Sequence, residues 1–374
     1  REGIAFTLGF DNWSDLDEKL KGTRHFVHEI FSQTVLGTGS APDLFVPLDS
    51  NPEIIESYLV DSGFSDSVAT TRILSAFLGG RKVRNITLKG ADEIRKLLPK
   101  ILHEVSSTSK SVTTLERILL VLEALISRNV YLSLLNENRD ALGQLIRLSD
   151  ASSWICRYVA DHPVLLDELL DLRSILVPLN KEALFEELHR KLLHLPEKDD
   201  EGRIIALREF KQAQVLKVAA ADLYGYLPLP KVSDSLTVVA EVMITSCVNM
   251  AWAQMISRYG ASSHFTPDAP PGFGVIAYGK LGGYELGYGS DLDLVFVYDE
   301  EVSPHVGTLS APEFYGRLAR HVISLITTMT PAGTLYQLDL RLRPSGDSGL
   351  LVTSLVALRK YQLQNAWTWE QQAL

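Results

Sequence analysis

Apolar residues recur at helical spacing through most of the chain before residue 266. The broadest apolar stripe starts near Thr113, which with Glu116 matches a capping box and predicts the start of a helix. Its members lie three or four residues apart, as on a helix with one buried face: Leu115, Ile118, Leu119, Leu122, Ala124, Leu125 and Ile126. Residues 203–258 hold two longer helical patterns that break at Pro228 and Pro230. This part of the chain is therefore predicted to be helical.

The pattern changes after a proline-rich stretch, Pro267–Pro271, which is predicted to be a linker. Phe273–Tyr278 and Asp291–Tyr298 are predicted strands, and Leu335–Arg343 is a third. Between the last two, Pro312 with Glu313 is predicted to open a helix. That helix keeps its apolar residues at helical spacing: Phe314, Leu318, Val322, Leu325, Ile326 and Met329.

The strand Asp291–Tyr298 is apolar except for two aspartates. Side chains two apart in a strand share a face, so Asp291 and Asp293 point the same way. Val295 and Val297 continue that face, and the other face carries Leu292, Leu294, Phe296 and Tyr298. Apolar residues on both faces predict a central strand that is covered on both sides. Two neighbouring carboxylates at its start require a cation, because burying both charges uncompensated is too costly.

The strand Leu335–Arg343 alternates strictly. Its even-numbered residues are apolar, and its odd-numbered residues include Asp339, Arg341 and Arg343, which are predicted to share one face. If this strand lies beside the aspartate strand, Asp339 completes a cluster of three carboxylates. The arginines then either grip phosphate oxygens or form structural salt bridges with the aspartates.

These residues together favour metal-assisted phosphoryl or nucleotidyl transfer. Mg²⁺ binds through a few carboxylates plus substrate phosphates, and two such ions stabilise the attacking and leaving oxygens together. A glycine-rich turn lets backbone N–H groups approach a triphosphate, and a lysine adds a point charge. The residues predicted to bind nucleotide are Gly279, Lys280, Gly282, Gly289, Ser290, Arg341 and Arg343. Asp291, Asp293 and Asp339 are the predicted metal ligands and catalytic residues, with Asp339 the candidate base.

Simpler interpretations exist for each piece. An isolated Asp-x-Asp pair is usually a surface or capping pair. The spacing of Gly274, Gly279 and Lys280 resembles a P-loop, but Leu281 replaces the required Ser or Thr and the intervening residues form a strand, which excludes it. Trp367 and Trp369 are predicted to lie in the core. Only the conjunction of these features is specific.

Composition narrows the function classes. The net charge is −10 with a pI of about 5.4, which disfavours a protein that binds a nucleic-acid backbone. Cys156 and Cys247 are far apart in apolar helical context and are predicted to be buried thiols, as in a reducing cytoplasm. No long apolar run or signal-peptide pattern is found, so a soluble cytoplasmic protein is predicted. The start at Arg1 and the end at Leu374 suggest an excised fragment.

The motifs resemble a known family. Gly279-Lys280 followed by Asp291 and Asp293 resembles the signature of the DNA polymerase beta nucleotidyltransferase superfamily, with Lys280 where a serine is usual. Longer motifs resemble the glutamine synthetase adenylyltransferase family over residues 105–374: Ala277–Gly283 with Glu285, Ser290–Phe296, Leu340–Gly346, Ala366–Glu370, Arg128–Leu132 and His162–Asp171. Gln371 departs from that pattern, which has histidine there.

The resemblance implies an α+β fold with a polymerase beta-like nucleotidyltransferase mixed sheet and helices, preceded by a large all-α region. Residues 1–104 would be the helical tail of a preceding half of a two-half enzyme. Residues 105–266 would be the helical part of the C-terminal, adenylyltransferase half, and residues 267–374 its nucleotidyltransferase core, without the C-terminal helical domain of the family.

The resemblance also implies a reaction and partners. AMP would pass from ATP to a tyrosine of glutamine synthetase, with two Mg²⁺ ions, in the regulation of nitrogen assimilation. A PII nitrogen-signalling protein is an implied partner, whereas nucleic acid and membrane are not expected. Two alternatives stay open, namely phosphorolytic removal of AMP from glutamine synthetase and a non-catalytic domain that binds a nitrogen-signalling partner.

Overall fold

The computed structural model describes residues 52–170, 179–196, 199–260, 270–302, 309–368 and 370, together with Trp13 and Lys19. The chain divides into two compact units, residues 1–50 and residues 51–374, and the following description concerns the second. Trp369, Gln371 and residues 267–269 of the predicted linker lie outside the described residues. The predicted boundaries after residues 104 and 266 stay predictions.

Helices make up the described chain up to residue 260. They are α1 (Pro52–Asp61), α2 (Ser67–Leu78), α3 (Arg81–Arg84), α4 (Leu88–Ser106), α5 (Ser111–Leu125), α6 (Asn129–Glu137), α7 (Arg139–Ala151), α8 (Ser153–Asp161), a 3₁₀ helix (Pro163–Leu170), α9 (Lys181–Leu193), α10 (Asp200–Leu223) and α11 (Leu229–Tyr259). The predicted stripe of α5 is buried apart from Ala124, but the capping box is wrong. The helix begins at Ser111, and Thr113 lies inside its first turn.

The sequence explains where the two long helices after residue 199 begin. Asp199 caps α10, because its carboxylate accepts the backbone N–H of Gly202 at 2.9 Å. Pro228 and Pro230 flank the start of α11, where a missing N–H costs little. In the described part of the chain, α11 is the one helix long and apolar enough to cross a membrane, yet 72% of its apolar window is buried inside the protein. Burial of this kind is typical of a core helix.

The described sheet has four strands with a mixed topology. They are β1 (Phe273–Tyr278), β2 (Leu292–Tyr298), β3 (Leu338–Asp339) and β4 (Val352–Ser354), accompanied by α12 (Gly279–Gly282), α13 (Ala311–Thr327) and α14 (Leu355–Gln364). β1 runs antiparallel to β2 on one edge, whereas β3 and β4 both pair parallel with the other edge of β2. A mostly helical chain with a small mixed sheet confirms the predicted α+β class, and β2 is central as predicted.

The two faces of β2 pack as the alternation predicted. Leu292, Leu294, Phe296 and Tyr298 belong to the large core cluster that also contains residues of α11 and α13. Val295 and Val297 lie on the carboxylate face and form a smaller cluster with Tyr278 and with Leu358 of α14. The aspartates therefore begin a strand that is covered on both faces.

Several local predictions are wrong. The predicted strand Leu335–Arg343 reduces to Leu338–Asp339. It ends there because the Asp339 carboxylate accepts the backbone N–H of Arg341 at 2.9 Å and turns the chain. Met329 is 73% exposed because α13 ends at Thr327, before the apolar stripe reaches it. Trp367 is 70% exposed and does not pack in the core. Cys156 and Cys247 are buried free thiols, as predicted.

Candidate active site

The strand pairing brings two of the three predicted carboxylates side by side. Asp293 of β2 and Asp339 of β3 are register partners on adjacent parallel strands, where neighbouring chains lie about 4.8 Å apart. On the other edge of β2, Asp293 is paired with Tyr278, the last residue of β1. Asp291 is exposed and lies just before β2. The three carboxylates therefore surround the start of one central strand.

The backbone of the glycine-rich turn lies directly against Asp293. Gly279 adopts φ of +57°, and a Cβ atom placed on it would stand 2.5 Å from Oδ2 of Asp293. A side chain cannot occupy that space, so the turn requires glycine for both its conformation and its close approach. Gly279 also begins the short helix α12, in which the N–H of Gly283 bonds the Gly279 carbonyl at 2.9 Å. Lys280, the next residue, is exposed.

The remainder of the turn is closed by its own hydrogen bonds. The hydroxyl of Ser290 accepts the backbone N–H of Gly287 at 3.0 Å, and the Ser290 N–H bonds the Gly287 carbonyl at 3.2 Å. Gly289 is exposed between them. Tyr284 is a non-glycine residue with φ of +58°, an uncommon conformation that marks a constrained turn. The predicted nucleotide-binding residues of this segment therefore lie in one ordered loop that leads into Asp291.

The carboxylates influence one another electrostatically. The pKa of Asp293 is raised, chiefly by burial and then by the negative charges of Asp291 and Asp339. Arg341 and Lys280 oppose this shift through their positive charges. In contrast, the pKa of Asp339 is lowered, chiefly because the Arg341 side chain donates hydrogen bonds to its carboxylate. The start of β2 thus holds excess negative charge that is only partly neutralised.

Arg341 bonds one carboxylate of this cluster directly. Its Nε lies 3.0 and 2.9 Å from the two oxygens of Asp339, and its Nη2 also donates to Oδ2. The Arg341 side chain is nevertheless 73% exposed, against 17% for Asp339, so the guanidinium approaches from the solvent side. Arg343 instead donates from Nη1 to the carbonyl of Leu340 at 2.8 Å and closes the turn after β3. Of the two predicted arginines, Arg341 is therefore the one that the structure joins to a site carboxylate.

The donor set suits a hard cation that shares its ligands with a substrate. Within the described ranges, no three acidic, histidine or cysteine side chains are arranged as a complete metal-binding group. Mg²⁺ rarely needs such a protein cage, because it is commonly held by one or two carboxylates plus phosphate oxygens and water. The pKa of Asp293 is raised chiefly by burial and then by the charges of Asp291 and Asp339, an arrangement that a bound cation would relieve. Arg341 bonds the Asp339 carboxylate, whose remaining lone pairs leave it able to accept a cation as well.

Two contacts between the helical region and the site-bearing segments were not predicted from the sequence. Tyr288, in the glycine-rich loop, donates its hydroxyl to Oδ2 of Asp222 on α10 at 2.7 Å. Arg208, also on α10, bonds the chain that precedes β3. The only local signal for either contact was a polar residue within a mostly apolar helix, which does not identify its partner.

Comparison with known proteins identifies similar sequences. A family model described as glutamate-ammonia ligase adenylyltransferase matches residues 142–374. Three curated relatives are each named bifunctional glutamine synthetase adenylyltransferase/adenylyl-removing enzyme. The protein of Thioalkalivibrio sulfidiphilus is 40% identical over 99% of this chain and 40% of its own length. The protein of Methylococcus capsulatus is 44% identical over 99% of this chain and 40% of its own length. The protein of Mannheimia succiniciproducens is 45% identical over 88% of this chain and 34% of its own length. The chain thus spans about two fifths or less of the length of these relatives.

Proposed function

Because the chain belongs to the glutamate-ammonia ligase adenylyltransferase family, we propose that it transfers AMP from ATP to a tyrosine of glutamine synthetase. The names of the relatives support the choice of substrate. The observation that carries the proposal is the register of Asp293 with Asp339, together with the approach of Gly279 to Asp293. We assign the sheet and its flanking helices to the polymerase beta-like nucleotidyltransferase fold on the same grounds.

Asp291 and Asp293 would hold Mg²⁺ in this reaction, and Asp339 would join them. When bound, the ions would neutralise the negative charge of the triphosphate and of the departing pyrophosphate. Two ions are proposed, since three carboxylates around one strand suit a pair better than a single ion. The backbone of Gly279 to Gly282 and the ammonium of Lys280 would bind phosphate oxygens. Gly289 and Ser290 would shape the loop beside them, because the Ser290 hydroxyl already bonds the Gly287 N–H.

The nucleophile of the proposed reaction needs help to lose its proton. A tyrosine phenol has a pKa of about 10, so little phenolate is present at neutral pH. Asp339 is the candidate base, but Arg341 lowers its pKa and so weakens it as a proton acceptor. If the triphosphate draws Arg341 away, the pKa of Asp339 rises towards its ordinary value. Arrival of the nucleotide would then bind the guanidinium and leave the Asp339 carboxylate free to interact with Mg²⁺ and with the phenol proton.

Arg341 gives the first test of this arrangement. Changing Arg341→Ala is expected to raise the KM for ATP about tenfold, because a charged hydrogen bond to phosphate contributes roughly 1.5–3 kcal/mol. Arg341→Lys should recover only part of the loss, since an ammonium lacks the planar two-donor fork. Steady-state kinetics at varied ATP concentration measures both effects.

A matched control is an exposed arginine in a similar salt bridge far from the site. Arg139 bonds Glu104 at 3.0 Å, and its side chain is 85% exposed. Arg139→Ala should leave the KM for ATP unchanged. Equal KM values for Arg341→Lys and the parent protein would instead favour a structural salt bridge between Arg341 and Asp339.

A second candidate function is removal of the adenylyl group by phosphorolysis. The relatives are named as enzymes that also remove the adenylyl group. Orthophosphate could attack the AMP–tyrosine bond in the same cluster of carboxylates, with the tyrosine as leaving group and ADP as the product. The same carboxylates would serve either reaction.

The proposed function is tested in the full-length protein with ATP labelled on its α-phosphate. Label is expected on glutamine synthetase and absent from a variant in which the acceptor tyrosine is phenylalanine. A parallel reaction supplies adenylylated glutamine synthetase with orthophosphate and follows ADP release, which detects the second candidate. Extension of an oligonucleotide primer, with no label on glutamine synthetase, would overturn both.

We further propose a cytoplasmic location and a PII-type signalling partner, on the strength of the family resemblance. The chain has 46 acidic and 36 basic residues, and this excess of negative charge favours a protein substrate rather than a nucleic acid. We therefore expect no binding of duplex or single-stranded nucleic acid at physiological salt, and no membrane association.

A further inference from the structure

One buried arginine holds the chain that leads into β3. Arg208 of α10 is fully buried, and its guanidinium donates to backbone carbonyls on two elements. Nε bonds the carbonyl of Gly333 at 2.7 Å, and Nη2 bonds those of Leu325, at 3.2 Å, and Thr328. One turn further along α10, the amide of Gln212 donates to the carbonyl of Ala332 at 2.7 Å. Arg208 and Gln212 therefore grip the end of α13 and the turn that follows it.

These bonds satisfy backbone carbonyls at the end of α13. The last carbonyls of a helix have no N–H partners within the helix, and a cation there also complements the helix dipole. The Arg208 guanidinium meets both needs for α13 in a place that water does not reach. The turn from Thr328 to Gly333 is thereby fixed to α10, and six residues later the chain reaches Asp339.

The sheet alone holds β3 only weakly. β3 pairs with β2 through two residue pairs, Leu292 with Leu338 and Asp293 with Asp339. So short a ladder constrains the register of Asp339 through only two residue pairs, and a slip of one residue would turn its carboxylate to the opposite face. The position of Asp339 must therefore depend on how the preceding turn is anchored.

The other end of α10 holds the second site-bearing segment. Tyr288 lies three residues before Asp291 and donates its hydroxyl to Asp222 at 2.7 Å. Its ring also packs against Trp154 of α8, with centroids 4.9 Å apart. Asp291 itself lies outside the sheet ladder, so the loop must be held by such contacts. Along α10, Arg208 and Asp222 are separated by about 21 Å at the rise of an α-helix.

We infer that α10 sets the relative positions of the two carboxylate-bearing segments. Arg208 is a positioning residue for Asp339, and the Asp222–Tyr288 pair positions Asp291. The kinetic test of this inference rests on the proposed function, whereas its test by Mn²⁺ binding does not. A helix outside the sheet thus holds the site carboxylates in register.

The main experiment compares two buried cations of α10 in the full-length protein. Arg208→Met removes the hydrogen bonds that Arg208 donates to the end of α13 and the turn before β3. Lys217→Met is the matched control, because Lys217 is also buried on α10 but pairs with Glu168 of the 3₁₀ helix, at 3.1 Å, away from the sheet. Thermal unfolding, Mn²⁺ binding followed by electron paramagnetic resonance, and kcat and KM for AMP transfer are measured for both.

Both variants are expected to unfold at a lower temperature than the parent. Only Arg208→Met should also weaken Mn²⁺ binding and lower kcat, each by about 10–100-fold, as losses of outer-shell support for a metal site do. Its KM for glutamine synthetase should stay unchanged, because Arg208 is buried and cannot touch a protein substrate. Arg208→Lys should restore only part of the Mn²⁺ affinity, since one ammonium cannot bond carbonyls on both elements.

Milder variants keep the test decisive if Arg208→Met does not fold. Gln212→Leu removes the bond to Ala332, and Tyr288→Phe removes the bond to Asp222 while the ring can still pack on Trp154. Each should lower the Mn²⁺ affinity several-fold and lower kcat, with little change in unfolding temperature. Parental Mn²⁺ affinity and kcat in both would overturn the inference.

The outcomes also separate this inference from the proposed function. If the parent binds Mn²⁺ and Arg208→Met binds it more weakly, but no AMP reaches glutamine synthetase, the inference stands and the proposed function fails. If AMP transfer occurs and Arg208→Met behaves like Lys217→Met in Mn²⁺ affinity and kcat, the inference fails and the function stands. A parent protein that binds no Mn²⁺ would overturn the inference.

Discussion

Replacing Asp293 with asparagine is expected to lower AMP transfer by about 10³-fold or more, because a lost carboxylate ligand removes several kcal/mol of charge stabilisation in the transition state. Asp293 lies at the centre of the cluster, with Asp339 on one side and Gly279 on the other. Asp291→Asn should act in the same direction. Initial rates with labelled ATP at saturating Mg²⁺ measure the loss.

The same substitution should not destabilise the protein. The pKa of Asp293 is raised in the folded state, so the folded protein holds this proton more tightly than the unfolded chain does. Stability therefore falls as the pH rises through that pKa, and at neutral pH the charged carboxylate works against folding. Asparagine removes this repulsion, and the unfolding temperature of Asp293→Asn is expected to equal or exceed that of the parent.

An aspartate at the other end of β2 provides the control. Asp299 follows the strand, and its Oδ1 accepts the backbone N–H of Glu301 at 3.0 Å, a bond that an asparagine oxygen can also accept. Asp299→Asn should leave both transfer and unfolding temperature unchanged. Near-parental turnover in Asp293→Asn would show that this carboxylate is not part of the catalytic site.

Changing Gly279→Ala is expected to lower AMP transfer by about 10²-fold, as displacements of about 1 Å at a reacting centre do. The added methyl would stand 2.5 Å from Oδ2 of Asp293, so the carboxylate must move or the turn must open. A φ of +57° adds roughly 1–2 kcal/mol of strain for a residue with a Cβ atom. Transfer rate and unfolding temperature are measured together.

The strain and the collision can be separated by a second glycine. Gly63 has φ of +88°, and a Cβ atom added to it would meet no heavy atom within 4 Å, so Gly63→Ala introduces strain without a collision. It should lower the unfolding temperature and leave the transfer rate unchanged. If Gly279→Ala loses no more activity than Gly63→Ala, the close approach of the turn to Asp293 has no catalytic consequence.

The central part of the site was accessible from local pattern. Alternation along β2 predicted which residues share a face with Asp293, and the packing of Val295 and Val297 against Leu358 confirms it. Three of the family motifs, Ala277–Gly283, Ser290–Phe296 and Leu340–Gly346, lie in or beside β1, β2 and β3. Such features are readable because strand and helix periods place residues two or four positions apart on one face, whatever the rest of the chain does.

Predictions failed where a side chain competed with the backbone or a helix ended early. Alternation from Leu335 to Arg343 predicted a long strand, but the Asp339 carboxylate captures the N–H of Arg341 and ends it. Met329 continues the apolar stripe of α13 in sequence, yet it lies beyond the last turn and is exposed. Periodicity reports which face a residue would occupy in an element, and it does not report where that element stops.

By itself, the sequence determined the helical character of the described chain before residue 260, the strands β1 and β2, the central position of β2, the carboxylates at its start and the family. Only the tertiary structure decided that β3 lies parallel to β2 with Asp339 beside Asp293, and that Arg208 anchors the turn before β3. The physical reason is the range of the interactions. Local periods are set by backbone geometry within a few residues, whereas these contacts join segments far apart in the chain and depend on how α10, α13 and the sheet pack together.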